Sequence, residues 1–457
     1  MNSTTYKDGA SDPLGAPGRC DPGRDSGHDP GRPKRLRAAS LDPEAEALLK
    51  LLNFVKRRPV NRFNLRQHRL AWRLSALALG RADAVARVET LSVPGPHAPI
   101  RLKLYRPSVM AEAEAMPALL WFHGGGFLMG GFATADAICR HIAAVSGAIV
   151  VAVRYRLAPE HDLHAGRADC MAALDWIVRD GRSLGIDTTR LAVGGDSAGG
   201  NLAAAVAQRH VEQGGTALRL QVLAYPATNL LDDFASKAEN ASGYVLTSAS
   251  IDAIRVLITQ GHTDLANPWI SPAFACDLRG LPPALVVTAG FDPIRDDGLA
   301  YARRLREAGV PVELLHYAGQ FHGFLNFDGV LRAARDALDR IGAALKLRLA
   351  TPAGEAAVRV DRTIELSARC RDDFVWGGLP MGRNLLIAWL MLGERLEGWR
   401  WTMMRRTLTD IGWIAAPGAF SLFNPVSVYR ALLGQYFAPI EANETWHGHA
   451  QGGSCFA

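Results

Sequence analysis

The chain lacks any stretch of about 20 consecutive apolar residues, the length a bilayer-spanning helix requires, so no transmembrane helix is expected. Its strongest apolar run, Leu385-Leu386-Ile387-Ala388-Trp389-Leu390-Met391-Leu392, is far shorter. Cysteine is sparse, with six in 457 residues (Cys20, Cys139, Cys170, Cys276, Cys370 and Cys455) and no C-x-x-C spacing. That excludes a disulfide-framework domain and a zinc ribbon. With no apolar signal segment at the N-terminus, reduced thiols and a cytoplasmic location are expected. Charge of one sign is not in large excess. A net +6, much of it from arginines near the chain ends, argues against a dedicated nucleic-acid binder while permitting loose attraction to anionic lipid. No glycine run carries the G-x-G-x-x-G spacing or the trailing Lys-Ser/Thr of a phosphate-cradling loop. His447 and His449 stand in the tail without further ligands, so no metal is expected, and no organic cofactor either.

What is present is an alternation of strand-like and helix-like segments. Strand-like runs lie at 86–93, 100–107, 117–123, 148–153, 190–195, 219–224, 284–289 and 312–317. Helical candidates fall between them at 134–146, 166–183, 199–213, 297–309 and 329–348. Such alternation predicts an α/β fold, a mostly parallel sheet with helices on both faces. Residues 1–40, rich in Gly, Pro, Asp and Arg, are expected to form a disordered tail. Residues 41–85 show helical periodicity, with Leu48, Leu49, Leu51, Leu52 and Val55 on one stripe and Leu70, Trp72, Leu74, Leu77 and Leu79 in a second apolar segment. Residues 227–278 interrupt the alternation with polar sequence and a short helix over 250–260, and Phe234, Tyr244, Leu246 and Trp269 there are candidates to face a pocket. Residues 350–457 hold six of the ten tryptophans and match no recognised pattern; a packed appendage, a dimer surface and a lipid-contacting segment all stay open.

Three segments carry chemistry. Gly195-Asp196-Ser197-Ala198-Gly199-Gly200 follows the apolar run Leu191-Ala192-Val193 and precedes a helix-forming run from Asn201. Strand, sharp turn and helix around G-x-S-x-G is the setting of a nucleophile elbow, which makes Ser197 the candidate nucleophile. His123-Gly124-Gly125-Gly126-Phe127 follows the apolar residues 118–122. The bare amides of Gly124, Gly125 and Gly126, with that of Ala198, are candidate donors to a developing oxyanion. His123 suits a structural role in that loop. A serine needs a base and the base an orienter. His322, in the loop after the strand at 312–317, is the candidate base, and His210 and His316 are unsuited because they sit within a helix and a strand. Asp292, the first carboxylate past the strand at 284–289, is the candidate orienter; Asp296 and Asp297 suit the dipole and cap of the next helix.

Taken together, these segments, with Tyr155-Arg156-Leu157-Ala158-Pro159-Glu160-His161, Asp292-Pro293-Ile294-Arg295-Asp296-Asp297-Gly298 and Phe321-His322-Gly323-Phe324, resemble the hormone-sensitive-lipase-like esterases, a family of α/β-hydrolases. The resemblance covers residues 41–349. It implies an α/β-hydrolase domain over 86–349, a helical cap from 41–85 and 227–278, and a C-terminal extension, 350–457, outside the family pattern. It further implies a Ser197–His322–Asp292 triad that hydrolyses short to medium acyl esters through an acyl-enzyme, with a small-molecule ester as partner. Asp196 and Glu160 are implied to position the elbow and the loop after Tyr155. An amidase or deacetylase using the same triad, or a non-catalytic ligand binder, are the alternatives. Asp162-Leu163-His164-Ala165-Gly166 stands where the family continues Pro-Phe-Pro-Ala, which leaves the path of that loop open.

Overall fold

The computed structural model describes residues 31–54, 58–108, 115–260, 263–350, 360–368 and 439–447, with 392 and 396 singly. Apolar runs without polar alternation belong to strands covered on both faces. Residues 118–122, 149–153 and 284–291 are accordingly buried throughout. In chain order the strands are β1 (Arg87–Val93), β2 (Ile100–Arg106), β3 (Met116–Phe122), β4 (Ile149–Arg154), β5 (Ile186–Asp196), β6 (Leu220–Ala224), β7 (Ala284–Phe291), β8 (Val312–Phe321), β9 (Arg362–Ser367) and β10 (Glu441–Trp446). They form one sheet in the order β1-β2-β4-β3-β5-β6-β7-β8-β9-β10. From β4 to β9 every pairing is parallel; β1, β2 and β10 run antiparallel to their neighbours.

The helices are α1 (Pro43–Phe54), α2 (Leu65–Leu79), α3 (Phe132–Ser146), α4 (Leu163–Asp180), α5 (Ala198–Glu212), α6 (Ala235–Glu239), α7 (Ser248–Thr259), α8 (Arg295–Glu307) and α9 (Arg332–Ala350). Successive strand side chains point to opposite faces, and the sheet therefore separates two cores. Leu120, Phe122, Val151 and Val193 pack with α4, α5 and α8. Leu119, Trp121, Val150 and Val287 pack with α1, α3 and α9. The parallel strands bring their C-terminal ends to one edge, where the loops after β3, β5, β7 and β8 meet.

Several expectations need correction. Residues 31–40 are not part of a free tail: Ala38 N–H donates to Ala318 O at 2.9 Å, and the His316 ring lies 3.0 Å from Leu36 O. Residues 1–30 lie outside the described part. The strand expected over 312–317 runs on to Phe321, so His322 is the first residue beyond it rather than part of a longer loop. The C-terminal extension supplies β9, whose Ile364 and Leu366 are buried, and β10. Leu70, Leu74 and Leu77 of α2 are exposed, because its buried contacts come from Leu65, Ala76 and Leu79. Cys139 and Cys170 are free and buried, as thiols were expected to be, whereas Cys276 stands in a disulfide.

Candidate active site

β5 ends at Asp196 and α5 begins at Ala198, so a single residue, Ser197, makes the turn. It does so at φ +57° and ψ −118°, strained backbone for a residue with a side chain and typical of a site where geometry is held by its surroundings. The turn is this tight only because its neighbours are glycine. A Cβ on Gly195 would strike the Gly199 carbonyl, and one on Gly199 would strike the Phe122 carbonyl. The Ser197 amide donates to Ala224 O at the end of β6, 2.8 Å away, which anchors the elbow to the sheet.

Ser197 Oγ lies 2.8 Å from His322 Nε2, and His322 Nδ1 lies 2.8 Å from Asp292 Oδ2. The three candidates of the sequence, from the ends of β5, β7 and β8, are thus brought into one line. A carboxylate only accepts, so the Nδ1 proton faces Asp292 and leaves Nε2 to accept from the serine hydroxyl. Asp292 is fully buried, and its other oxygen accepts the Ile294 amide at 2.8 Å. Tyr225 sets its ring edge-on to His322 with centroids 5.0 Å apart. Asp296 and Asp297 do not cap their own helix. Asp296 accepts the Ser236 amide, and Asp297 accepts the Thr228 hydroxyl and the Asn229 amide, so both hold the 227–240 segment against α8.

The glycine loop after β3 divides its amides. Gly124 N–H donates to Asp196 Oδ1 at 2.9 Å, so it is spent on structure and is withdrawn from the candidate oxyanion donors. The amides of Gly125, Gly126 and Ala198 have no partner among the described residues, and all three residues line the cavity beside Ser197. Gly125 and Gly126 sit at φ +122° and +63°, conformations that disfavour any side chain. Burial pushes the Asp196 carboxyl up, while the Gly124 and Asn326 hydrogen bonds pull it back. His123 is a loop residue, as expected: its ring stacks on Tyr155, Tyr155 OH donates to His123 O at 2.6 Å, and burial pulls its pKa down to about 4.

A cavity of about 670 Å³ opens at Ser197 and His322. Its apolar walls include Leu230, Val245, Ile251, Ile254 and Ile258, and α2 contributes His68, Trp72 and Ser75. Phe234, Tyr244 and Leu246 line it; Trp269 does not, because its ring packs under the Arg209 guanidinium. One positioning residue carried no motif signal. Arg69 of α2 grips both oxygens of Glu160 at 2.6 and 2.7 Å and donates to Leu128 O and Ala158 O at 2.7 and 3.1 Å. Glu160 therefore acts by joining the loop after Tyr155 to α2. Among the described residues no cluster of His, Cys, Asp and Glu could hold a metal ion.

Comparison with known proteins places the fold among those of hydrolases. A sequence profile described as the alpha/beta hydrolase fold matches residues 119–326. Esterase LipI of Mycobacterium tuberculosis is 43% identical over 265 residues, covering 58% of this chain and 82% of the relative. An ethyl acetate hydrolase of Pseudomonas putida is 36% identical over 279 residues, 60% of this chain and 87% of the relative. Among solved structures, an esterase of the archaeon Pyrobaculum calidifontis superposes with a TM-score of 0.63 at 38% identity, covering 67% of this chain and 98% of its own. An alpha/beta hydrolase from the metagenome of Lake Arreo gives 0.65 at 38%, covering 69% and 100%. The identity of these relatives and the share of each that is matched make the chain a member of the α/β-hydrolase fold family, among the esterases similar to hormone-sensitive lipase.

Proposed function

We propose that the chain hydrolyses carboxylic esters of short to medium acyl length by an acyl-enzyme route. The observation that carries this is the unbroken hydrogen-bonded line Ser197–His322–Asp292 at the floor of a largely apolar cavity. Ser197 Oγ attacks the ester carbonyl while His322 Nε2 takes its proton. Asp292 keeps the ring oriented and stabilises the imidazolium without taking the proton. The carbonyl oxygen becomes an oxyanion, and the unpaired amides of Gly125, Gly126 and Ala198 are the groups suited to hold it. His322 then protonates the departing alcohol. In the second half it activates water, which releases the acid and restores Ser197. The 227–278 segment and α1–α2 act as the cap, because residues of both line the cavity. The volume of about 670 Å³ falls within the range of small-molecule sites.

Ser197→Ala is the direct test. Hydrolysis of p-nitrophenyl butyrate is expected to fall by roughly 10⁴-fold or more, with the melting temperature retained. A fluorophosphonate probe is expected to label the wild type at Ser197 and to leave the variant unlabelled. A Ser197→Ala protein with wild-type turnover would overturn the proposal.

A further inference from the structure

Helix α2 presents two unlike faces. At 100° per residue, His68, Trp72 and Ser75, which line the cavity, share one side of the helix. Leu70, Leu74 and Leu77 fall within about 60° of one another on the opposite side, and they are 57%, 55% and 53% exposed. Phe63, in the turn leading into the helix, is 91% exposed. Leucines repeating at this spacing normally face a core, yet here they face solvent. Arg66 and Arg73 lie directly alongside the leucine stripe, and Arg62 stands next to Phe63. All three arginines are exposed and have no ion-pair partner among the described residues. The surrounding sequence is one-signed: residues 47–82 contain nine lysines and arginines and no aspartate or glutamate.

We propose that the outer face of α2 is a docking surface for an anionic phospholipid bilayer. Exposed leucines and a phenylalanine bordered by arginines are the composition of a helix lying in a membrane interface. The leucines enter the acyl boundary while Arg62, Arg66 and Arg73 meet lipid phosphates, each such contact strengthening binding about fivefold. The chain's other parts are poorer occupants. Residues 369–438 carry eight arginines against five acids, so they share the sign of α2, and residues 1–30 have only Met1, Tyr6 and Leu14 as large apolar side chains. A second copy would set arginines against arginines. No helix among the described residues is long and apolar enough to cross a membrane, so the contact is peripheral. Because the inner face of the same helix lines the cavity, a docked bilayer lies about one helix diameter, roughly 10 Å, from it.

The test is co-sedimentation of the full chain with vesicles of phosphatidylcholine alone or with about 30% phosphatidylglycerol, with and without about 0.5 M salt. Binding to the anionic vesicles is expected to exceed binding to neutral ones at least about tenfold and to weaken in salt. The triple variants Leu70→Gln/Leu74→Gln/Leu77→Gln and Arg62→Gln/Arg66→Gln/Arg73→Gln are each expected to lose about tenfold or more. Both should keep wild-type hydrolysis of a soluble p-nitrophenyl ester, which reports an intact fold independently of lipid. Vesicle binding unchanged in both variants would overturn the proposal, as would no binding by the wild type. A wild-type dimer that the leucine variant converts to monomer, without vesicle binding, would assign the face to a second copy instead. Because sedimentation requires no turnover, Ser197→Ala protein is expected to bind vesicles like wild type, so this surface and the esterase proposal stand or fall separately.

Discussion

The Gly124 amide donates to Asp196 Oδ1 at 2.9 Å, joining the glycine loop after β3 to the residue immediately before Ser197. Two parts of the site that are 72 residues apart are thereby held in one geometry by a single buried carboxylate. Asp196→Ala leaves that amide buried without an acceptor, a loss of about 1–3 kcal/mol, and frees the loop to shift. Both melting temperature and kcat on a soluble ester are expected to fall. Asp196→Asn retains an oxygen for the Gly124 amide and is expected to keep most of both. Equal damage in the two variants would locate the effect in the charge of Asp196 rather than in its hydrogen bond.

Arg69 makes a comparable link from outside. Its guanidinium holds Glu160 with two hydrogen bonds and reaches the carbonyls of Leu128 and Ala158, so one side chain fastens α2 to two loops beside the cavity. Glu160 is half exposed, so the ion pair itself contributes little stability. The carbonyl contacts set position. Arg69→Ala is expected to lower kcat/KM for p-nitrophenyl butyrate by about tenfold with little change in melting temperature, and Glu160→Gln to have a smaller effect. Arg69→Lys, lacking the planar fork, should resemble Arg69→Ala. Steady-state kinetics on the three variants decides this.

Ser197, Asp292 and His322 were legible in the sequence because each follows a strand and carries a local signature. Their convergence repeats the one edge to which parallel strands deliver their ends. The candidate oxyanion donors were only half legible. Gly124, Gly125 and Gly126 are indistinguishable as residues, and only the long-range contact with Asp196 reveals that the first amide is already in use. Leu70, Leu74 and Leu77 carry the period of a buried stripe, and nothing local indicates that the opposite side of α2 faces inward. β9 is a short strand whose first paired residue, Arg362, meets Glu313 of β8, which lies 49 residues earlier in the chain. Non-local pairing of that kind has no local signal.

Several buried carboxylates bind protons more tightly in the fold than an exposed acid does. Burial raises Asp297 to about 7, Glu44 to about 7, and Asp42 and Asp328 to about 6. For each, the folded protein holds a proton that the unfolded chain has already released between about pH 4 and the raised value, so stability falls as pH rises through that window. Asp297→Asn removes one such group. The stability of wild type relative to this variant is expected to decline from pH 5 to pH 8, as followed by urea denaturation at each pH. A difference that is flat across the window would mean that Asp297 titrates as an ordinary acid.

The outer strands offer a separate test of how far the hydrolase fold depends on its extension. β9 covers the edge of β8 from Glu313 to Tyr317 and buries Ile364 and Leu366 against the core on the α1, α3 and α9 side. Around it, Arg362 pairs with Glu313 at 2.5 Å, Arg306 with Asp361 at 2.9 Å, and the Thr363 hydroxyl donates to Gly31 O at 2.7 Å. A chain ending after Ala350 loses all of these and exposes the β8 edge, a template for pairing with other chains. It is expected to melt several degrees lower and to aggregate with rising concentration. Ser197, Asp292 and His322 follow strands that remain, so turnover of a soluble ester by freshly prepared truncated protein should stay within about threefold of the full chain, the change expected where no hydrogen bond of the site is removed. Calorimetry and light scattering read the first two effects. A truncated chain that melts with the full one and stays dispersed would show that β8 tolerates an open edge and that β9 adds no stability to the sheet.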